Sequence, residues 1–139
     1  MDLGPDCYTY KVISFLLNLP YTFLGVLLAF LLVPKNVRWD QAHRAIIFYV
    51  KRDSFGISYM KGWRGMTCGH TIILNAREEL NDLAHELIHV EQNSRLPLVF
   101  PFFYSFELLR KGYEHNKYEV EAYSRSGSVY HTRKYPVDS

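Results

Sequence analysis

The chain has 139 residues, 48% of them hydrophobic, with 16 lysines and arginines against 14 acidic residues and a formal charge of +2. That length holds one domain of ordinary size with an apolar core, and so small and scattered a positive charge excludes an electrostatic footprint for nucleic acid. Two cysteines, Cys7 and Cys68, exclude a disulfide framework and a four-thiolate metal site.

Met1 to Lys11 is short and polar, and Gly4-Pro5 argues against a helix at the very start. From Val12 to Val33 the run VISFLLNLPYTFLGVLLAFLLV is free of charge. As a helix it would extend about 33 Å, close to the thickness of a hydrocarbon core. A single membrane span is the first expectation. Asn18, Pro20, Thr22 and Gly25 interrupt the run and would kink it or fold it into a re-entrant hairpin, and a buried or membrane-surface helix is the alternative. Acidic residues before the run and the lack of a small-residue cleavage site after it argue against a signal peptide. Lys35, Arg38 and Arg44 after it outnumber Lys11 before it, which by the positive-inside rule places the rest of the chain in the cytoplasm.

Lys35 to Gln41 reads as a polar linker leaving the bilayer. Ala45 to Lys51 is rich in β-branched and aromatic residues and reads as a strand. Phe55 to Trp63 and Met66 to Leu74 follow, and the three together suggest an antiparallel meander. The last strand would present an edge on which an extended peptide could add. Asn75, with Glu78 three residues on, has the pattern of a capping box, and Leu80, Leu83, Ala84, Leu87 and Ile88 recur at helical spacing. Ser94-Arg95 and Pro97 end that helix.

On this helix stand His85, Glu86 and His89. Histidines four apart differ by about 40° around the axis, so both rings reach one ion from one face. Glu86 sits at the edge of that face, where the H-E-x-x-H pattern assigns its glutamate the role of general base toward zinc-activated water. Leu96 to Leu109 is apolar, too short to cross a bilayer and broken by Pro97 and Pro101. It reads either as core or as a segment dipping into the membrane interface. Asn116 caps a last helix, Lys117 to Ser126, stopped by Gly127. There Glu119 and Glu121 are rivals for a third ligand, since positions two apart point about 200° apart and only one can face the ion. Small Ala122 would let the two helices approach. Tyr123 and His115 are candidate donors to a developing oxyanion, and Gln92, one turn past His89, is placed to orient a ligand histidine. His43, His70 and His131 have no partner pattern and read as structural or exposed, as do Cys68, Trp39 and Trp63.

With His85-Glu86-Leu87-Ile88-His89 and Glu119-Val120-Glu121-Ala122, the chain resembles the gluzincin zinc metallopeptidases, whose third ligand is a glutamate on a later helix. Within them it is similar to small bacterial metallopeptidases with an N-terminal membrane segment, a short sheet, HEL-x-HV-x-Q and a later N-x-x-E-x-E-A-Y, here His85 to Gln92 and Asn116 to Tyr123. The resemblance selects Glu119 over Glu121. Membrane-bound CaaX-processing peptidases share the ligand pattern but carry an aspartate where this chain has Tyr123.

The expected fold is therefore α+β: an N-terminal transmembrane helix, a small antiparallel sheet, a zincin-like active-site helix and a later helix bearing a glutamate ligand. Residues 1–34 would form the membrane segment and 35–139 the metallopeptidase domain. The expected function is a membrane-anchored zinc metallopeptidase, single-pass, with metal ligands His85, His89 and Glu119 and with Glu86 and Tyr123 as catalytic groups. Its partners would be a peptide or protein substrate and membrane lipid, with a second copy or an activating partner completing a shallow site. The rival expectation is a membrane protein whose zinc only braces two helices.

Overall fold

The computed structural model describes residues 5–50, 65–75 and 81–127. Five helices, α1 (Pro5–Leu17), α2 (Leu19–Leu31), α3 (Asp82–Arg95), α4 (Phe100–Lys111) and α5 (Lys117–Ser126), accompany four strands, β1 (Pro34–Asp40), β2 (Ala45–Val50), β3 (Gly65–Cys68) and β4 (Thr71–Asn75). The fold is α+β, but the sheet is mixed, in the order β1-β2-β4-β3. β1 pairs antiparallel with β2 and β3 antiparallel with β4, while β2 and β4 run parallel. The expected meander is thus corrected. The stretch Met66 to Leu74 is two strands, because Gly69 turns the chain at φ +60, and the returning strand enters beside β2. Phe55 to Trp63 lies outside the described residues.

Lys35 to Gln41 is largely strand rather than linker. Its side chains are mostly exposed, so no burial pattern marks it, and its ladder with β2 holds it. Trp39 also meets Phe15 of α1 edge to face at 6.3 Å.

β4 is buried along its whole length, as expected of a central strand covered on both faces. On one face Phe48, Val50 and Ile73 pack against Ala29 and Leu32 at the end of α2. On the other, Ala45, Ile47, Ile72 and Leu74 pack against Val90 of α3, with Leu83 and Leu87 beside it. This second layer fixes the height and rotation of the helix that carries the two histidines. α3 begins at Asp82, with Asn81 in left-handed conformation at its N-cap. The expected start at Asn75 is corrected: Asn75 closes β4 opposite Val50, and Glu78 lies outside the described residues.

The apolar N-terminal run is two helices bent by 56°. Pro5 opens the first, where a proline costs a helix nothing. The bend follows from Pro20, which lacks the N–H that would bond the carbonyl one turn back. No single helix among the described residues is long and apolar enough to cross a bilayer; only the bent pair together passes on length and composition.

A seam of polar and small residues holds this pair to the rest. Buried Asn18 donates to the Asn93 carbonyl at 2.9 Å and accepts from the Leu98 N–H at 3.1 Å. Its amide nitrogen also lies 3.4 Å from His70 Nε2. His70 donates through Nδ1 to the Arg44 carbonyl, and burial holds its pKa below the ordinary value. It is the neutral structural histidine expected. The Thr22 hydroxyl accepts from the His70 N–H, and Thr71 donates to the Thr22 carbonyl. Gly25 permits the closest approach, since a Cβ there would stand 2.7 Å from Thr71 Cβ.

Asn18→Leu keeps the volume but strips partners from Leu98 N–H, the Asn93 carbonyl and His70. Each stranded buried group costs about 1–3 kcal/mol. Denaturant unfolding followed by circular dichroism should show a loss of at least about 2 kcal/mol, and an unchanged midpoint would show that the seam is dispensable.

Candidate metal centre

α3 and α5 bring His85, His89 and Glu119 together, all buried, with one ligand atom of each within 4.8 Å of the others. α5 forms as its sequence implies: the Asn116 side chain accepts from the Tyr118 N–H, and Gly127 ends the helix in left-handed conformation. Ala122, fully buried, occupies the face turned toward α3 and leaves room for the approach.

His85 Nε2 lies 3.1 Å from His89 Nε2 and 3.1 Å from Glu119 Oε2, and His89 Nε2 lies 3.3 Å from Glu119 Oε1. A tetrahedral zinc with bonds of about 2.0–2.1 Å has ligand atoms about 3.3 Å apart. The spacing fits that ion. The donor set fits as well, since two imidazoles and a carboxylate suit zinc and leave a fourth position.

The tautomer of His89 is fixed from behind. Its Nδ1 donates to Gln92 Oε1 at 2.8 Å, and the Gln92 amide is itself held by donating to the Tyr118 carbonyl and to Glu121. Nε2 is therefore the atom turned to the cluster, the arrangement ligand histidines commonly have. Burial would lower the His89 pKa, but the hydrogen bond to Glu119 and the charges of Glu86 and Glu119 outweigh it and push it up to about 9. Burial likewise works against the Glu119 charge. Hydrogen bonds from His85 and His89 prevail and hold its carboxyl well below the ordinary range. In the metal-free protein a proton on His89 thus holds the three groups together; a divalent cation can take its place.

Glu121 points away from the cluster, bonded to Gln92 and to Arg95 at 2.7 Å, with Arg125 at 3.7 Å. Glu86 is buried at the edge of the cluster and accepts from the Thr67 hydroxyl of β3 at 2.6 Å. Burial pushes its carboxyl above the ordinary range, against the opposing charges of His89 and His85. A Cβ on Gly65 would stand 3.0 Å from Glu86 Oε1, so only glycine lets the start of β3 pass this close. The Tyr123 ring lies 4.3 Å from that of His85, and its hydroxyl is 2.8 Å from the Tyr113 hydroxyl. His115 is exposed in the turn before α5. His43 pairs with Asp40 at 2.6 Å on the sheet side of α3, and His131 lies outside the described residues.

Protein-family models, curated proteins and solved structures give no match to the chain. Its chemistry is read from these side chains.

Tyr104 is the residue the sequence reading missed. Its hydroxyl donates to Glu119 Oε1 at 2.5 Å, and its ring meets His89 edge to face. Burial and the Glu119 charge push the phenol far above its usual pKa, so it remains a neutral donor. The signal was present. Phe100, Tyr104 and Glu107 share one helix face, and a half-buried tyrosine on the inner face of a helix usually finds a partner for its hydroxyl.

Ligation requires a neutral imidazole, so zinc must displace the His89 proton wherever that proton is bound. The apparent zinc affinity should rise with pH, by up to about tenfold per unit below pH 9 for the one proton released. The same raised pKa stabilises the metal-free fold fully below pH 6.5 and fades toward pH 9, so the two trends oppose each other. Competition with a chromophoric chelator across this range checks the slope, and a flat affinity would contradict the proton displacement.

Proposed function

We propose that this chain is a membrane-associated zinc metallopeptidase of the gluzincin kind. His85, His89 and Glu119 hold the zinc, and Glu86 is the general base. The observation that carries this reading is the convergence of three buried metal-ligating groups from two helices, with a fourth, Glu86, on the same helix as the histidine pair. A structural site does not need that extra carboxylate.

Zinc held there supplies Lewis acidity toward a scissile carbonyl and a water. Glu86 takes the proton of the attacking water and returns it to the leaving amine. Thr67 of β3 holds one carboxylate oxygen of the base in place. Tyr104 orients Glu119, and Gln92 orients His89. Tyr123, beside His85, is the proposed donor to the oxyanion, set in place by Tyr113.

β3 ends the sheet among the described residues and passes beside Glu86. An extended substrate adding to its outer edge would lie along the base. The depth at which the three ligand side chains are buried favours a second reading, in which the metal only braces α3 against α5. Glu86→Gln separates the two. Under the peptidase reading it keeps about one zinc per chain while turnover of a peptide library falls by at least about 10²-fold, and Glu119→Ala loses the metal. Zinc retained with no turnover in the wild type would favour the brace.

A further inference from the structure

Two surfaces of this protein are inside out. A helix on a soluble domain turns its apolar face to the core and its polar face to water. α4 does the reverse. Phe100, Tyr104 and Glu107 face the protein, while Phe102, Phe106 and Leu109 are 72, 59 and 89% exposed, with Phe103 beside them. α1 and α2 repeat the inversion. Ser14, Asn18, Thr22, Gly25 and Ala29 are buried, and Leu16, Phe23, Leu24, Leu27, Phe30 and Leu31 are exposed. The two surfaces meet at Leu98. Its N–H is held by Asn18, and its carbonyl accepts from the Tyr21 hydroxyl at 2.5 Å.

We propose that these outer faces of α1, α2 and α4 together form a one-sided lipid-contacting surface, so that the protein is seated in one leaflet rather than threaded across the bilayer. α2 lies against the sheet through Ala29 and Leu32. To cross a membrane it would have to draw in a sheet whose edge strand carries exposed Lys35 and Arg38, at the cost of burying charge in hydrocarbon. Lying in the interface, with side chains reaching about 5–10 Å into the acyl boundary, avoids that cost. A protein partner is the weaker fit, because protein interfaces carry polar rims and arginine among their aromatics, whereas from Phe102 to Leu109 the exposed α4 residues are phenylalanine and leucine apart from Ser105, with Arg110 and Lys111 confined to the last turn, where headgroups would meet them.

The surface bears on the site. The inner face of α4 places Tyr104 on Glu119, so the metal centre sits about one helix diameter, 10–12 Å, from lipid. Its substrates are then polypeptide segments lying at the membrane surface. The seating rests on the membrane association proposed above and not on the metal, whereas the substrate class rests on the zinc peptidase reading as well.

The test uses the full chain with Trp39 and Trp63 replaced by Phe, carrying in turn Leu27→Trp, Phe106→Trp and, as a control on α5, Val120→Trp. Each is reconstituted with phosphatidylcholine–phosphatidylglycerol vesicles whose acyl chains are brominated either near the headgroup or near the chain end. Leu27→Trp and Phe106→Trp should both lose most of their emission, more to the shallow bromines than to the deep ones, and Val120→Trp should keep its emission. Quenching of Leu27→Trp alone, strongest with deep bromines, would mean a spanning segment and overturn the proposal. Blue-shifted emission at Phe106→Trp without quenching would mean that protein covers α4, and would overturn it as well. Failure of the chain to float with vesicles would remove membrane association altogether. Zinc content of the same samples reports on the metal reading separately.

Discussion

Three groups that accept a proton or a metal stand within hydrogen-bonding distance of one another in a buried place, and the surrounding structure is arranged to keep them there. Two imidazoles and a carboxylate so close need a positive centre between them, because burial raises the cost of uncompensated charge. His85 and His89 are fixed because Leu83, Leu87 and Val90 seat α3 on the sheet. Glu119 is fixed because Ala122 lets α5 close on α3 and because Tyr104 reaches its carboxylate from a third helix. Each support acts on one of the three groups through packing or a hydrogen bond, so the fold itself holds the cluster together.

The second constraint is the inward turn of polar side chains on the N-terminal helices and on α4. In water this is costly on both counts: apolar surface is exposed and polar groups are buried. Asn18, Thr22 and His70 are satisfied within their own network, while the buried Ser14 hydroxyl has no hydrogen-bond partner among the described residues. The exposed apolar surface has no such compensation within the described residues, and the proposed lipid contact would supply it. Site and surface share α4, and this joins the proposed chemistry to the proposed location.

How far the sequence disclosed this differs by element. α5 was legible in full, because Asn116, Gly127 and the spacing between them are local signals. The convergence of Glu119 rather than Glu121 on the histidines followed from the resemblance and from helical geometry, and Glu121 is ion-paired elsewhere. The sheet was misread for a physical reason. Pairing direction depends on where the chain returns, and Gly69-His70 does not say that β4 will lie beside β2. β1 was missed since an exposed edge strand shows no burial alternation. Asn18 and Thr22 looked like blemishes in a membrane span, and they are the contacts that hold it to the domain. Tyr104 escaped because its partner is fifteen residues away on another helix, a relation that no local pattern encodes.

Zinc K-edge X-ray absorption on the full chain reconstituted with one equivalent of zinc tests the central claim most directly. The proposed centre predicts only nitrogen and oxygen neighbours at about 2.0–2.2 Å, with the outer-shell scattering of two imidazoles. A sulfur shell at about 2.3 Å, or a spectrum without imidazole scattering, would place the metal elsewhere and contradict it.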